Sequence, residues 1–521
     1  MILWRGRGRA IPSDELSQAI RREGLEEVQQ SLNLARSELA ELRAFQKDQV
    51  HYLARTTAES WTNPTHATSG WTFIDDPVRN QLSLDGDFAA LLSHPLLQRL
   101  NRVKQLSFSY MVFPSATHTR LSHSLGVCKH VEMALDAIFR NDRVYSAGDS
   151  AGQPTRIGPE DRTKLLLKAK LAALLHDVGH GPFGHALDRF TGFIDPRNQM
   201  SHPDKSYSRE YISRYLADFL PAGIAAADLT AILDKKRADL RGWDCLLADL
   251  IDSSLDVDRM DYLTRDAHMT GLSMGVTNAI ALIERICPYR EGDSIVLTYD
   301  STACTYIEDF LRARDLMYRN CYDHARKLAA ERILTRLVEA LKQRFGVEIQ
   351  HIMLLADDQL LMVLRLATVG SESERNLLDA LMFNIEYEQI KEVPVSAGVP
   401  EISAWNQHLF RGRKREAYIE SPTSWERAIT EGAGLDPASS WRILVVVPGH
   451  GVSTPVESGA QILYREGDRC FTREVFEVIP RLKDHLKELM EQRQKIRVFC
   501  DSRLTKPEKA RVITAANELF S

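Results

Sequence analysis

The segment Ala172–Phe190 reads AALLHDVGHGPFGHALDRF. Its apolar start predicts a helix that ends at the adjacent pair His176 and Asp177, and a glycine-rich turn then carries His180 and His185 towards a second helix. Imidazole and carboxylate on one rigid corner are ligands that suit Mn, Fe and Zn, and the carboxylate also admits Mg. Because His-Asp is a common dipeptide, its partners elsewhere in the chain decide whether this corner is functional.

The composition is typical of a soluble globular protein with more than one domain. The 521 residues, 44% hydrophobic and 26% charged, exceed what one hydrophobic core usually holds. A net charge of −5 gives no basic field for long nucleic acids or an anionic membrane. The seven cysteines include no C-x-x-C pair, which favours free thiols in a reducing compartment. Without a long apolar run or a secretory signal, we expect a cytoplasmic protein.

The N-terminal region, residues 1–70, is predicted to be a helical extension followed by a linker. Apolar residues recur at alternating spacings of three and four from Leu25 to Leu42, which is typical of a short helical seam. This seam supports either a helical hairpin or oligomer contact, or a helix packed on the protein's own core. Residues 56–71 are rich in Thr, Ser, Pro and Gly, which indicates a linker.

The rest of the chain is predicted to be mainly α, with a helical core at residues 71–347 and a smaller α+β lobe at residues 348–521. Most core segments show helical spacing, with one β-hairpin near Ser294–Tyr299. The strands predicted in the lobe are Trp441–Val447, Ala460–Tyr464 and Lys495–Cys500. We expect the lobe to serve regulation or oligomerisation. Its basic patch at residues 411–415, RGRKR, is interpreted as a solvated loop or as a nucleic-acid surface.

Two further segments could complete a site around the His-Asp corner. In FPSATHTRLSHSLGV, residues 113–127, Arg120 and His123 lie three apart and share a helix face. The imidazole could then reach a metal while the guanidinium reaches a substrate phosphate. The segment at residues 255–272 carries Asp258 near its start and has too many charges for an ordinary buried helix.

A third segment, YIEDFLRARDLMYRNCYDHARK at residues 306–327, carries several arginines. Arg314, Tyr318 and Tyr322 lie four apart, which places one cation and two phenols along a single helix face. Ordinary packing with a snorkelling arginine is the alternative interpretation. A nucleoside triphosphate carries about four negative charges, so a metal with several arginines is the surface expected to bind it.

Together these segments resemble the HD-domain dNTP triphosphohydrolase family, which includes bacterial dGTPase-like proteins and eukaryotic SAM-and-HD-domain enzymes. The matching phrases are HPLLQRLNRVKQL (94–106), RLSHSLGV (120–127), HDVGHGPFGH (176–185), DVDRMDYLTRD (256–266) and MYRNCYDH (317–324). The resemblance runs from about Trp71 to the end and implies an HD-domain helical core. It also implies metal-dependent hydrolysis of dNTPs to deoxynucleoside and tripolyphosphate, which controls nucleotide pools. Depletion of those pools during phage infection is a hypothesis.

The resemblance further implies roles for individual residues. The metal ligands are His123, His176, Asp177 and Asp258, for a divalent ion that is Mn, Mg, Fe or Zn. The catalytic residues are His185 paired with Asp188, His202, and His180 close to the phosphates. The substrate-binding residues are Gln105, Leu106, Arg120, Arg259, Tyr262, Asp266, Arg314, Tyr318 and Tyr322. Among these, Gln105 and Asp266 contact the sugar 3′-hydroxyl, and the arginines hold the triphosphate. For His202, a surface histidine near a helix start is the alternative.

Two other functions stay open at this point. One is an HD-type nuclease or phosphodiesterase acting on oligonucleotides or cyclic nucleotides, and the other is a non-catalytic scaffold that senses nucleotides. Ser93 and Asn101 stand where eukaryotic members bind an activating guanine nucleotide through aspartate and arginine. Guanine-specific activation is therefore not expected, although another allosteric nucleotide is possible. Because family members assemble through the helical core, we expect a homo-oligomer and no membrane association.

Overall fold

The computed structural model describes residues 3–5, 9–11, 37, 40–41, 43–62, 73–78, 80–83, 88, 91–187, 203–235, 238–395, 416–447, 460–467 and 469–520. Helices predominate in these ranges, which confirms the mainly α prediction. Two predicted catalytic residues, Asp188 and His202, and the basic patch at residues 411–415 lie outside the described residues.

The helices come in the following order along the chain. They are α1 (Pro95–Arg99), α2 (Arg120–Asn141), α3 (Pro159–Leu175), α4 (Pro203–Tyr211), α5 (Ala226–Leu233), α6 (Trp243–Ile251), α7 (Val257–Thr270), α8 (Ala279–Ile283), α9 (Cys304–Met317), α10 (Ala325–Phe345), α11 (Ile349–Met353), α12 (Asp357–Ala367), α13 (Glu372–Met382), α14 (Glu416–Gly432), α15 (Val475–Val478), α16 (Pro480–Arg493) and α17 (Lys506–Leu519). Residues 43–62 are also helical.

The strands are short. They are β1 (Leu3–Arg5), β2 (Arg9–Ile11), β3 (Phe73–Asp76), β4 (Asn80–Ser83), β5 (Val144–Ser146), β6 (Asp149–Gln153), β7 (Ile286–Glu291), β8 (Ser294–Asp300), β9 (Tyr387–Pro394), β10 (Ile443–Val446), β11 (Gln461–Glu466), β12 (Arg469–Glu474) and β13 (Lys495–Asp501). The predicted hairpin near residues 294–299 is present, since β7 and β8 pair antiparallel.

In the helical core, α2 packs against both α3 and α7. Thr119 starts α2 with a capping box in which its side chain accepts from the Ser122 amide and Ser122 bonds back to it. Asp256 caps α7 in the same position by accepting from the Arg259 amide. These caps fix where each helix begins, and so they fix the direction in which the first-turn side chains project.

A six-stranded sheet joins the helical core to the C-terminal part of the chain. Its order is β12-β11-β8-β7-β5-β6, and β11 runs parallel to β8. Because β11 and β12 come from beyond residue 347, the predicted boundary there does not separate two independent sheets. The remaining strands β10, β13 and β9 form an antiparallel sheet that packs with α14 and α17, which accounts for the predicted α+β lobe.

The described part of the N-terminal region packs on the protein itself. Val50 and Ala54 are fully buried, and the Gln46 amide donates to the Leu366 carbonyl at 2.9 Å. The apolar residues of the seam predicted at Leu25–Leu42 lie outside the described residues, so the choice between its two interpretations stays open. The linker prediction is wrong for residues 56–62, which continue the helix because Trp61 donates from Nε1 to Gln359 Oε1 at 2.9 Å. Among the described residues, no helix combines the length and apolar character needed to cross a membrane.

Candidate metal centre and active site

The His-Asp corner lies where α3 ends. Nδ1 of His176 is 2.7 Å from the Ala173 carbonyl oxygen. Since a carbonyl only accepts, Nδ1 carries the proton, and Nε2 presents its lone pair on the other side of the ring. This Nε2 is buried and has no hydrogen-bond partner among the described residues. Such an atom is suited to binding a metal ion.

The other predicted ligands converge on this corner from α2 and α7. The ligand atoms of His123, His176 and Asp177 all lie within 4.8 Å of one another. Oδ1 of Asp258 is 2.9 Å from Nε2 of His123 and 3.7 Å from Nε2 of His176. Two imidazoles and two carboxylates from three separate segments thus surround one small space. This mixed donor set fits a divalent cation of the Mn, Fe or Zn type, and Mg to the extent that carboxylates dominate.

The electrostatics of the cluster also fit a bound cation. Burial lowers the pKa of His123, but hydrogen bonds to Asp258 and Asp261 outweigh it and raise this pKa to about 10. Burial raises the pKa of Asp177, but the charges of His176 and Arg120 outweigh it and hold this pKa well below its ordinary value. The carboxylates are therefore ionised. A metal ion bound here would displace the proton of His123 and supply the positive charge beside these carboxylates.

A buried ionic network holds His123 in position. Oδ2 of Asp261 is 2.9 Å from Nδ1 of His123, and Arg265 donates from Nε to the same oxygen at 2.8 Å. Nη1 of Arg265 donates in turn to Asp76 at 2.7 Å. Gly126 lies against this network, since a Cβ there would collide with Asp261 and Arg265. The glycine in RLSHSLGV is therefore required by the close approach of α2 and α7, and Asp261 orients the imidazole as outer partners of metal ligands do.

The start of α2 and the glycine-rich turn bring Arg120 and His180 to the same cluster. Arg120 donates from Nη1 to Oδ2 of Asp177 at 2.7 Å, and Nε2 of His180 lies 3.2 Å from Oδ1 of that carboxylate. Gly184 adopts φ +52, and a side chain there would press on the Arg120 guanidinium. The rings of His180 and His185 meet edge to face at 4.6 Å. A short 3₁₀ turn at Gly184–Ala186 follows, and the second helix predicted after it falls largely outside the described residues.

On the far side of the cluster, both oxygens of Asp266 are engaged. Nε2 of His118 is 2.7 Å from Oδ1, and the Tyr322 hydroxyl donates to Oδ2 at 2.7 Å. Both His118 and Asp266 are buried. Sequence reasoning missed His118, although it lies two residues before Arg120 in a segment that was singled out. Asp266 is thereby held rigidly at the cavity wall.

Aromatic rings lead away from the metal ligands along this wall. The Tyr262 ring centroid is 6.4 Å from that of His123 and 6.2 Å from that of Tyr322. The rings of Tyr322 and Tyr318 follow at 5.0 Å, and the Arg314 guanidinium lies 5.7 Å from the Tyr318 ring centroid. The one-cation, two-phenol face predicted for the third segment therefore exists, although the helix has a π turn at Tyr318–Tyr322.

A cavity of about 400 Å³ unites these groups. The predicted residues that line it are His123, His176, Asp177, Asp258, His180, His185, Gln105, Leu106, Arg120, Arg259, Tyr262, Asp266, Arg314, Tyr318 and Tyr322. Arg259 differs from expectation in one respect, because its guanidinium is already paired with the Asp256 carboxylate and the Ser253 carbonyl. The Asp256 carboxylate therefore partly balances the charge of Arg259.

The cavity also has a wall that sequence reasoning missed. The lining residues from the C-terminal part are Val446, Val447, Arg493, Lys495 and Arg497. Lys495 and Arg497 both pair with Glu392, at 2.7 and 3.2 Å. These residues lie far along the chain from the motifs, so no sequence pattern indicated that they line the cavity. Lys205, three residues after His202 in the sequence, also lines the cavity.

Comparison with known proteins agrees with this architecture. Residues 120–266 match the HD domain family. Protein YwfO of Bacillus subtilis is 32% identical over 275 residues, or 51% of this chain and 53% of that protein. The human deoxynucleoside triphosphate triphosphohydrolase SAMHD1 is 26% identical over 276 residues, or 48% of this chain and 41% of that protein.

A solved structure shares the fold. It is that of a phosphohydrolase from Bacteroides thetaiotaomicron, with a TM-score of 0.60 at 22% identity, covering 83% of this chain and 99% of that one. The chain spans between about half and three fifths of the length of the first curated relatives that it matches. These findings show that residues 120–266 of this chain form an HD domain.

Proposed function

We propose that this protein hydrolyses deoxynucleoside triphosphates to deoxynucleoside and tripolyphosphate in a metal-dependent reaction. The observation that carries the proposal is that one cavity joins the histidine and aspartate cluster to Arg120 and Arg314 and to the Asp266–Tyr322 hydrogen bond. A cation site, guanidinium groups and a neutral hydrogen-bonding wall match the phosphates and the nucleoside of such a substrate. Relatives at 26% identity are named deoxynucleoside triphosphate triphosphohydrolases, which supports the same activity.

The metal would be held by His123, His176, Asp177 and Asp258. A divalent cation bound there would polarise a phosphoryl oxygen and make water a stronger nucleophile at neutral pH. The choice among Mn, Mg, Fe and Zn is part of the proposal and depends on the assay below.

Arg120 is placed to hold phosphate oxygens beside this cluster. It is buried and anchored on Asp177 at 2.7 Å, so its position is set before any ligand binds. A preorganised guanidinium stabilises charge that develops on a phosphoryl group without the cost of reorientation. Arg314, near Tyr318, lines the same cavity and would hold a second part of the triphosphate.

Proton transfer to the leaving oxygen is assigned to His185. The ring of His180 lies between it and the carboxylates, since Nε2 of His180 is 3.2 Å from Asp177 and 3.6 Å from Asp204. Burial and the charge of Arg120 lower the pKa of His180, so this ring is neutral and serves to position its neighbours. Asp188 and His202 keep the catalytic roles implied by the resemblance as predictions.

The sugar would be bound by Gln105 and Asp266. Oε1 of Gln105 is buried without a hydrogen-bond partner among the described residues. A buried acceptor in this condition favours a ligand hydroxyl that donates to it. Asp266, fixed by His118 and Tyr322, offers a second acceptor at the same cavity. Leu106 and Tyr262 would pack beside the nucleoside.

The test is an assay of each dNTP with Mn or Mg, alone and in mixtures. We expect deoxynucleoside and tripolyphosphate, separated by ion-exchange chromatography. Asp258→Asn should abolish turnover, whereas Asp244→Asn, at a surface pair with Lys168, should not. Hydrolysis only of oligonucleotides or cyclic dinucleotides would instead support the nuclease alternative, and no hydrolysis with intact nucleotide binding would support the scaffold. Three further points stay predictions: homo-oligomer formation, allosteric activation and nucleotide-pool control. Only the mixtures of dNTPs would reveal allosteric activation.

A further inference from the structure

Arg493 reaches the cavity from the C-terminal end of α16, far along the chain from the HD motifs. Its side chain is 7% exposed, and Nε donates to Oδ2 of Asp323 at 2.9 Å. Asp315 lies further away, with 3.9 Å between its Oδ1 and Nη1. The guanidinium carbon is 3.9 Å from the Tyr318 ring centroid, so the cation stacks on the phenol.

One donor atom of this arginine has no hydrogen-bond acceptor in the part of the chain that the structure describes. Nη2 of Arg493 is buried and has no hydrogen-bond partner among the described residues. Leaving a buried guanidinium N–H without an acceptor is costly, and such atoms usually mark a missing water or ligand. Because the same residue lines the cavity, a ligand in the cavity is the natural source of that acceptor.

The charges around Arg493 indicate which chemical group of a ligand would accept a hydrogen bond from Nη2. Asp323 already balances the charge of the guanidinium, and Asp266 lines the same side of the cavity. Carboxylates repel phosphate oxygens, whereas a charge-balanced arginine still donates to a neutral acceptor. The tyrosine rings also separate Arg493 from the metal ligands, through Tyr318 and Tyr322. The ligand atom expected here is therefore neutral and lies away from the metal ligands.

We propose that Arg493 is a specificity-determining residue that donates a hydrogen bond from Nη2 to an acceptor on the nucleobase of the bound nucleotide. The inference rests on the proposed function, because it takes the ligand to be a nucleoside triphosphate. Every nucleobase carries neutral acceptors on its edges, in arrangements that differ from base to base. Asp323 fixes the arginine, and Tyr318 supports its flat face, so the donor direction is set before the base arrives.

The test compares substrates that differ only in the base. Arg493→Gln should lower kcat/KM for at least one dNTP by about 10- to 100-fold, since the lost hydrogen bond is buried. It should leave unchanged the kcat/KM for the abasic 5′-triphosphate of 1,2-dideoxyribose. Arg493→Lys, which keeps the charge beside Asp323 but not the flat fork, should show a smaller loss. Arg481→Gln, an exposed arginine on the same helix, is the matched control and should change neither substrate.

Two results would overturn the inference. Equal losses for the dNTPs and the abasic triphosphate in both Arg493 variants would mean a phosphate or purely structural role, and no loss for any dNTP would mean no contact. Binding titrations of dNTPs to the full-length protein in EDTA keep this test separate from the proposed function. If the wild type binds dNTPs in EDTA but does not hydrolyse them with Mn or Mg, the proposed function is contradicted and this inference is not. If wild type and Arg493→Gln bind all four equally, this inference fails alone.

Discussion

The cavity has two halves that differ in the arrangement of their charged side chains. The metal half consists of His123, His176, Asp177, Asp258 and Arg120. The tyrosine half consists of Tyr262, Tyr318, Tyr322, Asp266 and His118 together with Arg493. In the metal half every charged group contacts a group of opposite charge. In the tyrosine half, phenol rings line the space between Asp266 and Arg493, Tyr322 donates to Asp266, and Arg493 is paired with Asp323.

The difference shows which part of a ligand each half can bind. Burial raises the pKa of Tyr262 and holds that of Tyr322 well above its ordinary value, so both phenols stay neutral, and Tyr322 donates to Asp266. In the metal half, His123 and Arg120 instead hold the carboxylates ionised. One half is therefore organised for a cation and phosphates, and the other for neutral hydrogen-bonding groups.

The largest expected effect comes from removing one charge of the metal half. Asp177→Asn takes away the carboxylate that contacts His176, His180 and Arg120. We expect the bound metal to be lost and kcat/KM to fall on the order of 1,000-fold, since a ligand and the anchor of Arg120 disappear together. Metal content by mass spectrometry and dNTP turnover measure the two effects. Full metal content in the variant would mean that Asp177 is not a ligand.

The support of the metal half extends beyond the HD domain to Asp76. Asp76→Asn removes the charge of one of the two carboxylates that pair with the buried Arg265 guanidinium, and weakening this charged hydrogen bond of 2.7 Å costs about 2 kcal/mol of unfolding free energy. The exposed neighbour Asp75 gives the control, because Asp75→Asn should change stability by less than about 0.5 kcal/mol. Urea unfolding measures both. Equal stability of the two variants would mean that the Arg265 network does not hold the metal half together.

The metal half could be predicted from sequence because its ligands lie inside short motifs. Adjacent His176 and Asp177, and the i,i+3 pair Arg120 and His123, place their side chains by local geometry alone. Asp261 and Arg265 are spaced i,i+4 within DVDRMDYLTRD, so their pairing could also have been found.

The partners from distant segments could not be predicted in this way. Asp76 and Arg493 reach the network and the cavity only through tertiary packing, and no local spacing encodes that. The fold shows the same limit. Helical spacing predicts helices at His123–Arg140 and Thr163–Leu175, which lie within the observed α2 and α3. The short polar strands β5 and β6 show no apolar alternation and were not predicted. Likewise, the linker composition of residues 56–62 was outweighed by one tertiary contact of Trp61.

The tyrosine half is tested through His118, a positioning residue. His118→Gln removes the imidazole whose Nε2 is 2.7 Å from Asp266, so the carboxylate gains freedom while the metal ligands are untouched. We expect kcat/KM for dNTPs to fall about 10- to 100-fold, mainly through KM, with metal content unchanged. His268→Gln, at an exposed site on the same helix as Asp266, is the matched control. Loss of metal in His118→Gln would show that the two halves are not separable.

The smallest expected effect comes from His94, outside both halves, and it must be known before pH profiles of either half are interpreted. Burial lowers the pKa of His94 to about 4, and its Nδ1 accepts from the Leu96 amide at 3.1 Å to cap α1. Between pH 6.5 and 4 the unfolded chain therefore binds a proton that the folded protein does not. Stability that is present above pH 6.5 is lost as the pH falls through this window.

From pH 7.5 to pH 5.5 this loss amounts to about 1 kcal/mol for His94 alone. His94→Asn keeps a capping side chain but removes the titration, so its unfolding free energy should fall less over the same interval. Above pH 7.5 the two stability curves should run parallel, offset by the packing of His94 on Phe219 that the variant loses. Urea unfolding at a series of pH values measures the difference. Parallel curves down to pH 5.5 would assign the acid sensitivity of the fold to the histidines of the metal half instead.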